Sequence, residues 1–450
     1  MVVSNFLQRF LCILLAVLCG GGLLFSSKLS AASSAKPSLP AKAETPEPLD
    51  PHRLEWGVIG GPAFSVDTGL EIAALAHLAQ FKPGYSPYFW RLRATLKTAF
   101  RTIPGGLELP VHDYQLRLEL PGLLNNRLRL NAQLGFTWLI LQYYGLGNAA
   151  RGTRLWKHFD PQTQRIDYLR ALRRYQYRQW APGLRLKGRW KLGKSWLWFA
   201  NLRLQYIGIE LLQDSKLLED VQASQRPPRH NPSAQQALLS GISNHPLFVL
   251  QTGVLWDTRN NEFAPYAGWM HEISVRFAPG RSFGLSHAFV GGNLTLRWYQ
   301  SLYKQLLVFA FRGVLDFLEG HIPFYLLTGT GGLFPADSFG GGGSLRGIRA
   351  QRYHGKIKAF ANFELRSKLF AFVLKQTYLS FGITAFVDVG RVWLDYQRFQ
   401  ELDGEGPGLH LGAGAGLRVQ WGRSLMIRID IAWSPDASPV GVYFNLGHVF

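Results

Sequence analysis

The sequence predicts an all-β protein: a sixteen-stranded antiparallel transmembrane β-barrel. Three observations carry that expectation. From Leu54 to Phe450 apolar and polar residues alternate in segments of about ten to fourteen residues, the period of a strand with two unlike faces. The long connections between these segments all fall at one end, and the other end carries short turns. The chain closes on Phe444-Asn445-Leu446-Gly447-His448-Val449-Phe450, which reads as a last strand ending in an aromatic residue.

Composition narrows the class. The chain has 450 residues, of which 14% are aromatic and 48 are glycine, favouring strands joined by tight turns. Both cysteines, Cys12 and Cys19, lie near the N-terminus, which excludes a disulfide framework or a cysteine metal site in the remainder. No run beyond the N-terminus approaches the ~20 apolar residues of a spanning helix.

Taken in order, Arg9 precedes an apolar run from Phe10 to about Phe25, then small residues up to Ala35. This reads as a signal peptide over residues 1–32. The run is interrupted by Gly20-Gly21-Gly22, which disfavours a spanning helix, and Leu18 is too large for the position before a lipid-modified Cys19. Residues 33–53, with Pro37, Pro40, Pro46, Pro48 and Pro51, read as an extended periplasmic linker. Residues 54–450 read as the barrel.

The expected strands lie near 55–63, 69–80, 88–101, 110–121, 126–144, 171–191, 195–210, 246–257, 268–279, 285–300, 303–317, 354–369, 373–395, 408–421, 424–435 and 440–450. Leu92, Ala94 and Leu96 alternate with Arg91, Arg93, Thr95 and Lys97; Leu184, Leu186 and Trp190 alternate with Arg185, Lys187, Arg189 and Lys191. Such alternation fits a sandwich with an apolar interior and a membrane barrel with a polar lumen equally well. Connection lengths separate them. The long connections 145–170, 211–245, 318–353 and 396–407 follow strands five, seven, eleven and thirteen, hence share one rim. Segments 211–223 and 233–240 carry weak helical patterning and fit either a small plug or a surface loop.

Several motifs carry less than their spelling suggests. Gly188-Arg189-Trp190-Lys191-Leu192-Gly193-Lys194-Ser195 matches a P-loop, but strands flank it on both sides, so a hairpin turn is the better reading. Ser344 lacks the second glycine of a nucleophile elbow. The 12 histidines show no metal-ligand spacing. No catalytic residue, metal or cofactor is assigned, and no motif for nucleic acid appears. Gly412-Ala413-Gly414-Ala415-Gly416 sits within a strand pattern and reads as a close-packing site.

One loop stands apart. Phe339-Gly340-Gly341-Gly342-Gly343-Ser344-Leu345-Arg346-Gly347 places a permanent cation in a stretch able to fold into crowded space. Glu364 and Asp388 sit on polar, inward strand positions that follow it. If the loop enters the lumen, Arg346 meets both carboxylates; independent solvated lumen charges are the alternative.

The chain resembles the bacterial surface-antigen barrels of the BamA/TamA family. The loop Phe339–Gly347 is similar to that family's Arg-Gly loop, with Ile348 where an aromatic residue is usual. Asn362-Phe363-Glu364-Leu365-Arg366 and Phe386-Val387-Asp388-Val389-Gly390-Arg391-Val392-Trp393 resemble its next two strand motifs. Asp257-Thr258-Arg259-Asn260-Asn261, with Pro265 and Gly268, resembles its mid-barrel turn, and Phe444, Gly447 and Phe450 match its terminal insertion signal. The resemblance implies a sixteen-stranded barrel with an inward-folded loop between strands 11 and 12. It implies a loop latch of Gly341, Gly342, Gly343, Arg346, Gly347, Glu364 and Asp388, and a weak seam between the first and last strands. The short segment before strand one leaves no room for the family's POTRA domains, so the chain resembles a short variant.

The net charge is +20. Arg91, Arg93, Arg117, Arg127, Arg129, Arg185, Lys187, Arg189 and Arg203 fall on inward faces, against Glu119. A lumen of one sign concentrates anions; pairing with membrane phosphates at a rim is the alternative. The functional expectation is a non-enzymatic outer-membrane barrel that assembles or translocates proteins or lipids. Its partners would be outer-membrane lipids, nascent barrel proteins or a separately encoded periplasmic protein. A passive anion-preferring pore or surface scaffold is the alternative, and an outer-membrane hydrolase the third.

Overall fold

The computed structural model describes residues 52–450 except 66–67, 86–87, 105, 151–157, 226–238, 263, 281–283, 375–376 and 422–424. The expected signal peptide and nearly all of the expected linker lie outside the described residues, as does most of the segment 233–240.

Sixteen antiparallel strands close into a barrel. In chain order they are β1 (Leu54–Ser65), β2 (Gly69–Gln80), β3 (Trp90–Ile103), β4 (Gly106–Gly122), β5 (Leu128–Gln142), β6 (Gln176–Lys191), β7 (Trp196–Leu211) and β8 (His245–Asp257). The second half comprises β9 (Gly268–Pro279), β10 (Ala288–Tyr303), β11 (Leu307–Gly320), β12 (Ile357–Leu374), β13 (Thr377–Trp393), β14 (His410–Trp421), β15 (Leu425–Ser434) and β16 (Ala437–Leu446). Each strand pairs with its chain neighbours, so the alternation read from sequence becomes an inside and an outside. Trp56, Leu96, Leu116, Leu134, Ile273 and Val275 are exposed on the outer face, which suits lipid. Asn293, Arg297, Asp316, Lys358, Glu364 and Asp430 are buried within. Trp196, Trp256 and Trp269 sit side by side at the short-turn rim, with neighbouring ring centroids 5.9 and 5.8 Å apart. Indoles gathered at a rim match the aromatic girdle of a membrane barrel.

The four long connections share the opposite rim, as expected. They are not merely surface loops. Helix α1 (Arg165–Arg173) and helix α2 (Lys216–Gln225) occupy two of them. Leu217 and Val221 of α2 pack with Tyr143, Tyr177, Leu239, Phe324, Leu327 and Leu394 in one buried cluster beneath the loops. The Tyr143 hydroxyl donates to Asp220 at 3.0 Å.

Two expectations are corrected. Strand six was expected from residue 171; α1 runs to Arg173 and β6 begins at Gln176. The segment Arg165-Ile166-Asp167-Tyr168-Leu169-Arg170-Ala171-Leu172-Arg173 is rich in helix formers, and Arg170 and Arg173 favour its C-terminal end. The last strand was expected to run to Phe450; β16 stops at Leu446. Gly447 turns the chain at φ +81°. Phe450 then packs against Tyr299 and Ala310 inside the barrel.

The closure is uneven. β1 pairs with β2 along its whole length, from Leu54↔Gln80 to Ser65↔Gly69. Its pairing with β16, among the described residues, is the single register pair Ser65↔Tyr443.

Candidate functional site

The connection between β11 and β12, residues 321–356, folds into the lumen. Its backbone is held to the wall by inward acids: the Gly331 N–H donates to Asp316 at 2.7 Å and the Leu333 N–H to Glu272 at 2.7 Å. Phe339, Leu345, Ile348 and Tyr353 bury their side chains against Phe360 and Val392. Ile348 is fully buried there, filling the place where the resembling family usually carries an aromatic.

Arg346 stands at the centre, with no exposed surface. Its Nε and one terminal nitrogen donate to the two oxygens of Asp388, each at 2.8 Å, and its backbone N–H adds a third bond at 2.9 Å. The other terminal nitrogen donates to Glu364 at 2.6 Å and reaches Asp430 at 3.4 Å. The guanidinium carbon lies 3.4 Å from the centroid of the Phe386 ring. Burial opposes the charge, but Glu364 and Asp388, the hydrogen bonds to Asp388, and Asp430 behind them hold its pKa above the ordinary arginine value.

The surrounding bonds leave the carboxylates compensated. Arg366 donates to the second oxygen of Glu364 at 2.8 Å, and Arg418 to Asp430 at 2.6 Å. Asn362 bridges Ser344 and Asp388 at 2.7 Å each. Arg312 and Arg428 donate to the carbonyls of Gly343 and Gly342, at 2.8 and 3.0 Å. The glycines serve geometry. Gly347 has φ +88°, and a Cβ there would meet the Trp433 backbone at 2.8 Å. Gly412 of β14 faces the loop, and a Cβ on it would lie 1.9 Å from the Arg346 carbonyl. The structure thus brings Gly341, Gly342, Gly343, Arg346, Gly347, Glu364 and Asp388 together.

Sequence reasoning missed Asp430, Arg418 and Arg428. Their signal was present: Arg428 and Asp430 alternate with Ile427, Ile429 and Ile431 on β15, which puts both on the inward face. Tyr443 was also missed; its hydroxyl accepts from the Gly347 N–H at 3.2 Å.

A second feature lies on the other side of the lumen. Arg91, Arg117, Arg129, Arg185, Lys187 and Arg189 line one chamber of about 390 Å³, with Glu119 and the loop residues Leu333 and Phe334. Arg93 flanks it and pairs with Glu119 at 3.3 Å. Arg203 lies one strand further, bonded to Gln205. Arg127 does not join them: it precedes β5 in the turn and is exposed. Of the expected insertion signal, Phe444 lies on β16, while Gly447 and Phe450 belong to the inward tail.

A family model for the Omp85 superfamily domain matches residues 113–450. The chain belongs to the Omp85 superfamily. No curated protein matches it in sequence. Among solved structures, BamA from Haemophilus ducreyi lacking POTRA domains 1–3 aligns at TM-score 0.54 and 14% identity, over 88% of this chain and 70% of that one. CdiB from Escherichia coli aligns at TM-score 0.52 and 12% identity, over 87% of this chain and 62% of that one. At these identities the likeness concerns the fold. An Omp85 barrel of this form resides in the bacterial outer membrane. Its short turns therefore face the periplasm and its long loops the exterior.

Proposed function

We propose that this Omp85 barrel is a non-enzymatic component of outer-membrane biogenesis, which assembles or translocates proteins or lipids through its β1/β16 seam. The observation that carries this reading is the seam itself. β1 is fully paired on one edge and minimally paired on the other. Unpaired backbone groups on a strand edge are a template for an incoming strand. Trp56, 72% exposed, and Val58, 69% exposed, make that edge strand apolar toward the bilayer. The Arg346 loop is then a structural latch. It ties the wall β12–β15 together immediately beside the seam, so β16 has a firm support while β1 is free to part. Its partners are outer-membrane lipids, with nascent barrel proteins or a separately encoded periplasmic protein as cargo or helper.

The test is reconstitution of the purified barrel in liposomes with a urea-unfolded client barrel protein, following client folding by heat-modified gel mobility. Faster folding than in empty liposomes supports protein assembly. No acceleration directs the reading to lipid transfer or a pore. The cationic lumen favours the passive anion-preferring pore, and single-channel conductance with an anion-shifted reversal potential would establish it. The apolar cluster filling the outer mouth beneath the loops weighs against a standing pore.

A further inference from the structure

We infer that the chamber bounded by β3–β6 and the inward loop is a binding site for a phosphate-bearing anion that enters from the periplasm. This goes beyond the assembly reading and holds whichever cargo crosses the seam.

Its placement gives the route. Arg91 begins β3, Arg129 begins β5, and Lys187 and Arg189 end β6, so all lie near the short-turn rim. Arg117 and Arg185 lie deeper. The ceiling is the loop tip: Lys187 Nζ donates to the Leu333 carbonyl at 3.1 Å, and Leu333 itself is buried against Phe199, Leu255 and Met270. The chamber thus has a fixed roof and a mouth toward the periplasm.

Its charge is only partly compensated. Glu119 is committed: Arg91 donates to it at 2.5 and 2.9 Å, Tyr88 at 2.5 Å, and Arg93 approaches at 3.3 Å. Arg117 spends two donors on the Gln133 carbonyl, at 2.6 and 3.1 Å. Among the described residues, Arg117, Arg129, Arg185 and Arg189 have no carboxylate within salt-bridge distance.

The strand register makes this arrangement costly. Arg129 lies directly opposite Arg189, Arg185 opposite Arg203, and Arg93 opposite Arg117. Like charges at opposed sheet positions repel. Arg129 and Arg189 both line the chamber, while Arg117 and Arg185 line it and each face a further arginine at its edge; cations crowded this way on one lumen wall destabilise the empty barrel. An anion seated among them removes that repulsion. Guanidinium groups present paired donors that match phosphate oxygens, and a volume of about 390 Å³ admits a di- or monophosphate head. Leu333 and Phe334 add an apolar wall beside it. The same chemistry is offered by a phospholipid headgroup and by a free phosphate.

The test uses the purified full-length barrel in zwitterionic detergent, titrated with pyrophosphate, with dihexanoyl phosphatidic acid below its micellar concentration, and with dihexanoyl phosphatidylcholine. Binding is read by calorimetry and by the melting midpoint. At least one phosphate monoester or diphosphate probe is expected to bind saturably and raise the midpoint, with phosphatidylcholine weaker. Phosphatidic acid binding more tightly than pyrophosphate makes a lipid head the ligand; the reverse order makes it a free phosphate. The double variant R185Q/R189Q should weaken binding about tenfold or more. It should also raise the midpoint of the ligand-free barrel, because repulsion is relieved, which a merely structural role would not do. The charge-matched variant R165Q/R170Q, on the outer loop helix, should leave affinity unchanged. Absence of saturable binding by either anionic probe to the native barrel overturns the proposal, as does equal loss in both double variants.

Discussion

The guanidinium of Arg346 and the carboxylate of Asp388 meet edge to edge, through two side-chain bonds of 2.8 Å, and the backbone N–H of the same arginine closes a third at 2.9 Å. One aspartate of β13 thus fixes both the side chain and the main chain of the inward loop. Both residues are fully buried, so removal of one leaves the other's charge uncompensated. Arg346→Ala is expected to cost about 3–5 kcal/mol. It should lower the temperature at which the barrel loses its fast gel mobility and expose the loop to added protease. Arg346→Lys should recover little, since an ammonium lacks the planar fork that spans Asp388. Unchanged mobility and unchanged cleavage in Arg346→Ala would refute the latch.

The loop is held by shape as well as by charge. A Cβ at Gly412 would fall 1.9 Å from the Arg346 carbonyl oxygen, whereas a Cβ at Gly343 would meet nothing within 4 Å. Gly412→Ala should therefore destabilise the docked loop by about 1–3 kcal/mol with every charged partner intact. Gly343→Ala should stay within about 0.5 kcal/mol of the native barrel. Equal protease sensitivity in the two variants would show that close approach at Gly412 is unimportant.

Much of this molecule was legible because the strand period assigns each residue a face. That rule placed Glu364 and Asp388 inward, and the arginine loop beside them followed from its glycines. The same rule applied to β15 would have put Asp430 in the cluster, but its three-carboxylate character depends on the register Gly416↔Asp430, which alternation alone does not supply. The tail was misread for a physical reason. Phe444 to Phe450 alternates like a strand, yet Gly447 at φ +81° diverts it, and Arg312 and Arg366 inside the barrel receive it. Helix α1 was missed because its last residues, Ala171 and Leu172, also fit the start of a strand at 171.

Acid should loosen the outer loops. His354 is buried in the β11–β12 connection between the Tyr143 ring, 5.2 Å away, and Lys358. Burial, then the charge of Lys358, pushes its pKa down to about 3 from an ordinary value near 6.5. Between those values the unfolded loop binds a proton that the docked loop refuses. Stability is therefore complete above about pH 6.5 and declines as pH falls toward 3. His287, pushed down to about 4 by burial and then by His245 and His321, acts in the same direction. Native loop proteolysis should accelerate from pH 7.5 to pH 5. His354→Phe should flatten that dependence by about one proton, or ~1.4 kcal/mol per pH unit. Identical pH slopes in both proteins would remove His354 from the account.

Phe450 has a role in the folded barrel that is separable from any part it plays before folding. Its ring is buried against Tyr299 and Ala310, and the guanidinium carbons of Arg312 and Arg366 lie 5.1 and 4.9 Å from its centroid. A backbone oxygen of Phe450 accepts from Arg366 at 3.1 Å, and the Val449 carbonyl from Arg312 at 3.3 Å. Those two arginines also hold Glu364 and Gly343, so the tail and the loop share supports. Phe450→Ala, refolded in detergent so that no insertion machinery is involved, should lose about 3–5 kcal/mol through the cavity and the two ring contacts. It should also raise loop cleavage, because Arg312 and Arg366 lose a packing surface on one side. A refolded variant as heat-stable as the native barrel would confine Phe450 to events before folding.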